Sequence, residues 1–247
     1  MAVVTQQEAV RVPFPTPFGL FQAYAYGSPL EHVYLALVAG TVEGGRDVLT
    51  RLHSECLTGD ALGSLRCDCG IQLRLALRAI AAEQRGVLVY ATGHEGRGIG
   101  LLNKLRCYVE QDLGADTVDA NLRLGLPVDA RDYREVASVL SALGVRSVRL
   151  LTNNPGKVEG LRSAGIAVTD TVPLATSPHA RNVDYLHTKE RRLGHVRPAG
   201  SMLTDANGSD LASALDTSGV LGEVRPRADR PYVVLKFAQT LDGRIAT

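Results

Sequence analysis

Neither sign of charge is in surplus: 27 Lys and Arg stand against 26 Asp and Glu in 247 residues, a formal net charge of +1 and a pI of about 7.7. That balance excludes the broad basic stripe that draws a protein onto nucleic acid or anionic lipid, so a polyanionic partner has to be a small one, met locally. Long apolar runs are missing too, none approaching the ~18 residues a membrane span needs. The first twenty residues, "MAVVTQQEAVRVPFPTPFGL", have neither a basic n-region nor a continuous apolar h-region. The expectation is a cytoplasmic protein with no nucleic-acid and no membrane partner. Internal repeats and low-complexity blocks are also lacking. What remains is an ordinary soluble composition, 45% hydrophobic and 21% charged, in a chain long enough for one good-sized domain with or without an appendage.

From about residue 30 to 174 the pattern alternates. "HVYLALVAG" (32–40) and "GVLVYATG" (86–93) read as strands bounded by glycine, whereas residues 70–85 and 99–114 carry apolar side chains at helical spacing. Residues 130–144 read as a helix ended by glycine, 145–154 as a strand, and another helix opens at Pro155. This order predicts an α/β or mixed α+β core, with the antiparallel share left open. After His195 the composition shifts to Gly, Ser, Asp, Pro and Ala, so residues 196–229 read as a linker.

Cysteine is scarce, four in all, yet three fall in "CLTGDALGSLRCDC" (56–69). In a reducing compartment such a cluster favours a metal site over a disulfide. Cys67 and Cys69 are one residue apart and can grip one ion from a tight turn, and Cys56 lies far enough upstream to loop back to it. Three thiolates on one Zn²⁺ leave a fourth position open for chemistry; a closed structural site would recruit Cys107, His53 or His94. Cys107 falls inside an expected amphipathic helix, where a free cysteine is usually a small buried residue.

Four stretches, "RLHSECLTGDALGSLRCDCG", "GHEGRGIGLLNKLRCYVEQD", "DTVDANLRLGLPVDARDY" and "LLTNNPGKVEGL", together resemble GTP cyclohydrolase II, the enzyme that opens the guanine ring of GTP at the start of riboflavin biosynthesis. The resemblance spans roughly residues 11–195 and implies a catalytic domain over 1–195. It assigns Cys56, Cys67 and Cys69 to a zinc ion, and release of formate and pyrophosphate to the reaction, with Mg²⁺ accompanying the pyrophosphate. Hydrolysis at C8 of guanine needs a strong nucleophile at neutral pH, which zinc supplies by lowering the pKa of its bound water to about 7. Three thiolates and Zn²⁺ sum to −1, so neighbouring donors should offset that charge.

By the same resemblance Arg51, Leu52, His53, Ser54, Glu55, Gln72, Glu95, Gly96, Arg97, Thr117, Thr152 and Lys157 line the GTP site. Carboxylate and amide oxygens suit the N1–H and 2-amino donors of guanine, and Arg, Thr and Lys suit phosphate. The residues support this locally: the glycines of "GHEGRGIG" allow close backbone approach and Arg97 offers a fork. In "NNPGK", Asn154 can cap, Pro155 suits the first helical position, and Lys157 in the first turn opposes the helix dipole unless an anion lies between; the alternative is a solvated surface lysine. The resemblance also implies proton acceptance by Asp129 and attack on the α-phosphorus by Arg131. A guanidinium with pKa above ~12 is better suited to clamping phosphate. Asp129 alternatively stands where it would cap a helix starting near Ala130. Tyr108 matches a family tyrosine near the base, able to position or protonate the opening ring, or to serve as a buried structural residue.

One departure from the family is Ala91–Thr92, where Leu-Arg is usual. The readings are a weaker grip on triphosphate, a different nucleotide, or a threonine that sits on solvent. Family members are typically homodimers. Two other functions stay open: a variant that stops at the formamidopyrimidine, and a non-catalytic nucleotide-binding regulator with structural zinc. Finally, "RPYVVLKFAQTLDGRIAT" (230–247) resembles the opening strand of the pyrimidine reductase of the same pathway. Eighteen residues cannot build a nucleotide-binding domain, so no reductase activity is expected of this chain.

Overall fold

The computed structural model describes residues 10–27, 32–176, 178 and 181–196. The expected linker beyond Val196 and the reductase-like segment 230–247 lie outside the described residues. In chain order the elements are β1 (Val10–Thr16), β2 (Gly19–Tyr26), β3 (Tyr34–Ala39), β4 (Val48–Ser54), α1 (Leu57–Asp60), α2 (Cys69–Glu83), β5 (Gly86–Ala91), α3 (Leu101–Asp112), α4 (Asp119–Arg123), α5 (Arg134–Ala142), β6 (Ser147–Leu151), α6 (Pro155–Ser163), β7 (Ala167–Val172) and α7 (Val183–Leu193), with a 3-10 turn at Glu95–Arg97 between β5 and α3.

The expected mixed α/β class holds. The seven strands form one sheet in the order β1-β2-β3-β5-β4-β6-β7. Its first half is antiparallel, from β1 through β3 to β5, and its second half, β5-β4-β6-β7, is parallel. β4 lies inside the sheet between β5 and β6 and is buried along nearly its whole length, as a parallel strand covered on both faces must be. β1 carries Pro13 and Pro15, which cannot donate to a ladder, and it occupies a sheet edge where one side needs no donors. Strand periodicity divides the sheet into two faces. Ala36, Val38, Val87 and Val89 share a core with Val136, Ala137 and Leu140 of α5, each buried valine or leucine contributing about 1.5–3 kcal/mol by leaving water. α2 packs on β4, β5 and β2, where Ile80 meets Gly86.

α5 begins at Arg134, not near Ala130. The Asp132 carboxylate accepts from the Arg134 N–H at 2.9 Å just ahead of the helix, whose N-cap is Tyr133, and residues 129–133 form a loop. Asp129 therefore does not cap this helix. Among the described residues no helix is long and apolar enough to cross a membrane.

Candidate metal centre and active site

β4, β5 and β6 run parallel and end together, so the loops after them converge on one edge of the sheet, the place where open α/β sheets bind ligands. A cavity of about 310 Å³ opens there.

The loop after β4 delivers Cys56. Asp60, on the single turn of α1, fixes it: its carboxylate accepts from the Cys56 N–H at 3.0 Å, from the Tyr90 hydroxyl at 2.9 Å, and pairs with His53 Nε2 at 3.0 Å. Cys67 precedes α2 and Cys69 opens it. The Sγ atoms of Cys56, Cys67 and Cys69 all lie within 4.8 Å of one another, Cys56 and Cys67 at 3.7 Å. Two thiolates on one tetrahedral Zn²⁺, with Zn–S near 2.3 Å, stand about 3.8 Å apart, so the spacing fits. Gly59 makes room for it: a Cβ there would sit 2.7 Å from Cys67 Sγ and 3.2 Å from Cys56 Sγ. Gly59→Ala should therefore push the thiols apart and lower metal occupancy, read by metal analysis of purified protein; full occupancy would show that the loop yields without cost.

All four cysteines are free thiols. Cys107 donates to Asn121 Oδ1 at 3.2 Å, away from the cluster, and His53 and His94 are engaged with Asp60 and Ser54. Among the described residues the cluster that could hold a metal ion is thus the three cysteines alone. Hydrogen bonds from Cys67 and Cys69, then the charge of Lys104, hold the Cys56 thiol far below its ordinary range, while Cys67 and Cys69 are pushed up by giving those bonds. Lys104, buried on α3, donates to Cys56 Sγ at 3.1 Å, Thr58 Oγ1 at 2.8 Å and Glu95 Oε1 at 2.6 Å. It is the positive charge that three thiolates call for.

The loops after β5 and β6 bring cations. Asn154 caps α6 by accepting from the Gly156 N–H at 2.9 Å, with Pro155 at the first helical position. Lys157 is 6% exposed and donates to the Leu52 carbonyl at 2.9 Å. It is no surface lysine: burial, then the nearby Arg51 and Arg131, depress its pKa well below the usual value. Arg51 is buried between the Leu151 carbonyl and Gln72 Oε1, and burial lowers its pKa to about 10. Arg97 donates to Thr117 Oγ1 at 2.6 Å and to the Val128 carbonyl. Thr152 Oγ1 accepts from the Asn154 N–H at 3.0 Å.

Asp129 grips Arg131 through both carboxylate oxygens, and Arg131 also donates to Ser54 Oγ at 3.2 Å. Burial opposes ionisation of Asp129, but the hydrogen bonds and charge of Arg131 prevail and keep it below the usual carboxylate range. His94 contacts Ser54 Oγ at 3.4 Å; burial, then Arg131 and Lys157, lower its pKa to about 4, so it is neutral at pH 7. The Tyr108 hydroxyl stands 3.4 Å from Thr58 Oγ1, with the Arg66 guanidinium 4.8 Å from its ring centroid. That places the phenol beside the thiols.

One cavity thus holds a three-thiol metal cradle and converging cations. The GTP cyclohydrolase II family model matches residues 6–173, more than half of the 247-residue chain. The chain belongs to the GTP cyclohydrolase II family. It is also similar to riboflavin biosynthesis protein RibBA of Salinispora arenicola (59% identity over 183 residues), of Nocardia farcinica (54% over 194) and of Mycobacterium tuberculosis (57% over 186). These matches cover 74%, 77% and 73% of this chain but only 44%, 47% and 44% of the relatives, so the chain spans under half of their length.

Of the expected site residues this GTP cyclohydrolase II chain brings every one to the cavity wall except Leu52, whose side chain lies fully in the core. Two of the expected base readers are already occupied. Glu95 accepts from the Leu57 N–H, the Gly96 N–H and Lys104. Gln72 is spent on Arg51 and Asp68. Glu55 accepts from the Gly93 N–H at 2.8 Å. Thr92 is half-buried and does not line the cavity: it donates to the Val33 carbonyl and accepts from the Val33 N–H, at 2.7 and 2.8 Å. Sequence reasoning missed Lys104, Asp60, Asp68 and Lys189. For Lys104 the one signal was its place inside the quoted "GLLNKLRCY" motif.

Proposed function

We propose that this chain hydrolyses the imidazole ring of GTP, releasing formate and pyrophosphate to give 2,5-diamino-6-ribosylamino-4(3H)-pyrimidinone 5′-phosphate. The observation that carries the reading is the three-thiol cradle sharing one cavity with Arg131, Arg97 and Lys157. Cys56, Cys67 and Cys69 would hold the Zn²⁺, which when bound would supply a nucleophile at neutral pH. Lys104 offsets the thiolate charge, and Tyr108 is placed to give a proton to the opening ring. Glu55 is the carboxylate best placed to read the guanine edge, since Glu95 and Gln72 are committed elsewhere. Arg131 and Lys157 clamp phosphate, with Mg²⁺ accompanying the pyrophosphate. Asp129 is a poor base while paired; when Arg131 turns to phosphate the carboxylate is released and regains basicity. Arg131 acts here as a clamp, not a nucleophile.

Incubating zinc-loaded protein with GTP and Mg²⁺ and weighing the product tests this. Loss of the formyl carbon supports it; a product retaining that carbon indicates the variant that stops at the formamidopyrimidine. No turnover in fully loaded protein favours a binding module. We further infer a homodimer and a cytoplasmic location, the first checked by light scattering and the second by fractionation. The catalytic unit is proposed to end at 195, so deletion after Val196 should leave ring opening intact, with at most a change in solubility or oligomer size. Loss of ring opening would move the boundary.

A further inference from the structure

Past residue 173, where the family match ends, the chain is tied back to the site at three places. Leu174 is fully buried; its N–H donates to Asn153 Oδ1 at 2.8 Å and its carbonyl accepts from Asn153 Nδ2 at 2.6 Å. After α7 the Val196 N–H returns to the Asn153 carbonyl at 3.0 Å. Both ends of this stretch are thus fastened to the loop after β6. Between these ends, Thr176 Oγ1 reaches Asp68 Oδ2 at 3.1 Å and, on α7, Lys189 Nζ meets Asp68 Oδ1 at 2.9 Å. Farther along α7, Arg192 binds Asp119 at 2.6 Å and also Asp116, beside Thr117. Tyr185, Lys189, Leu193 and His195 line the cavity.

Asp68 is the residue between the two metal cysteines of the α2 turn, and it is 2% exposed. Among the described residues Lys189 is the one cation that its carboxylate pairs with, while Gln72 Nε2 at 2.6 Å and Thr176 Oγ1 are neutral partners. A buried carboxylate is costly without a cation, so undocking α7 would take from Asp68 the ammonium that faces it. We propose that α7 is a strap closing one wall of the substrate cavity, and that Lys189 is a positioning residue that sets the Cys67–Cys69 turn through Asp68. The part concerning the thiols rests on the metal reading above; the strap itself does not.

The test is a double-mutant cycle on zinc-loaded protein: Lys189→Met, Asp68→Asn and the two together, with Lys189→Arg as the conservative variant. Two quantities are read, the rate of zinc loss to a chromogenic chelator and hydrogen exchange of the α7 amides. Lys189→Met is expected to speed zinc loss about tenfold and to raise α7 exchange, while adding it to Asp68→Asn changes either by less than about twofold, because contacting residues are non-additive. Lys189→Arg should restore both. An unchanged zinc-loss rate in Lys189→Met, or the same factor in both backgrounds, overturns the positioning role. If the wild type holds no zinc, the metal reading fails, and α7 exchange alone decides the strap: exchange unmoved by Lys189→Met overturns it. Should Lys189→Met not fold, the comparison is between Asp68→Asn and the double variant. Equal α7 exchange then supports the pairing, and faster exchange in the double variant overturns it.

Discussion

Cys67→Ser should lose bound zinc and ring opening together while keeping its fold. A neutral hydroxyl is a far poorer ligand than a thiolate, and the substitution is nearly isosteric at a buried position. Activity should fall by more than the ~10–100-fold that loss of an outer partner of a metal site costs. The fold should survive because the sheet and the α5 core are built without the thiols. Far-UV circular dichroism and metal analysis on the same preparation check this. Unfolding on substitution or on chelation would make the site structural, as in small domains that fold only around their metal.

Asp129→Asn should keep zinc and GTP binding but drop kcat by about 10²–10⁴-fold, the usual contribution of a positioned general base. The amide keeps the size of the carboxylate and one oxygen for Arg131, yet cannot take the proton. The competing helix-cap role, under which asparagine would be harmless, is removed by the start of α5 at Arg134. Steady-state kinetics with separate KM and kcat decide the matter: a rise in KM alone would assign Asp129 to aligning Arg131, and an unchanged rate would remove it from the chemistry.

What was legible in the sequence was local. The cysteine spacing, the Asn154–Pro155 helix start and the amphipathic periods of α2 and α3 are written within a few residues, and each formed where the pattern placed it. The strands that were not read broke local rules for reasons set elsewhere in the chain. β1 carries two prolines that only an edge position tolerates. β4 carries Thr50, Arg51 and His53 inside the core, where the Leu151 carbonyl and Gln72 accept from Arg51 and Asp60 pairs with His53. Lys104 was illegible for a related reason. Its meaning comes from Cys56, 48 positions away, and on α3 alone it reads as a solvated lysine among leucines. Asp68 and Lys189 are separated by 121 positions, and nothing in either neighbourhood announces the pair. The polar residues that organise this site are tied by long-range hydrogen bonds, whereas the residues that present it lie in short motifs.

The most direct measurement counts formate and pyrophosphate against GTP consumed in one reaction of the zinc-loaded protein. If the thiol cradle and the cation cluster of this one cavity act on the same substrate molecule, each GTP lost should yield one formate and one pyrophosphate. Pyrophosphate released without formate, or consumption of GTP with neither, would contradict the account.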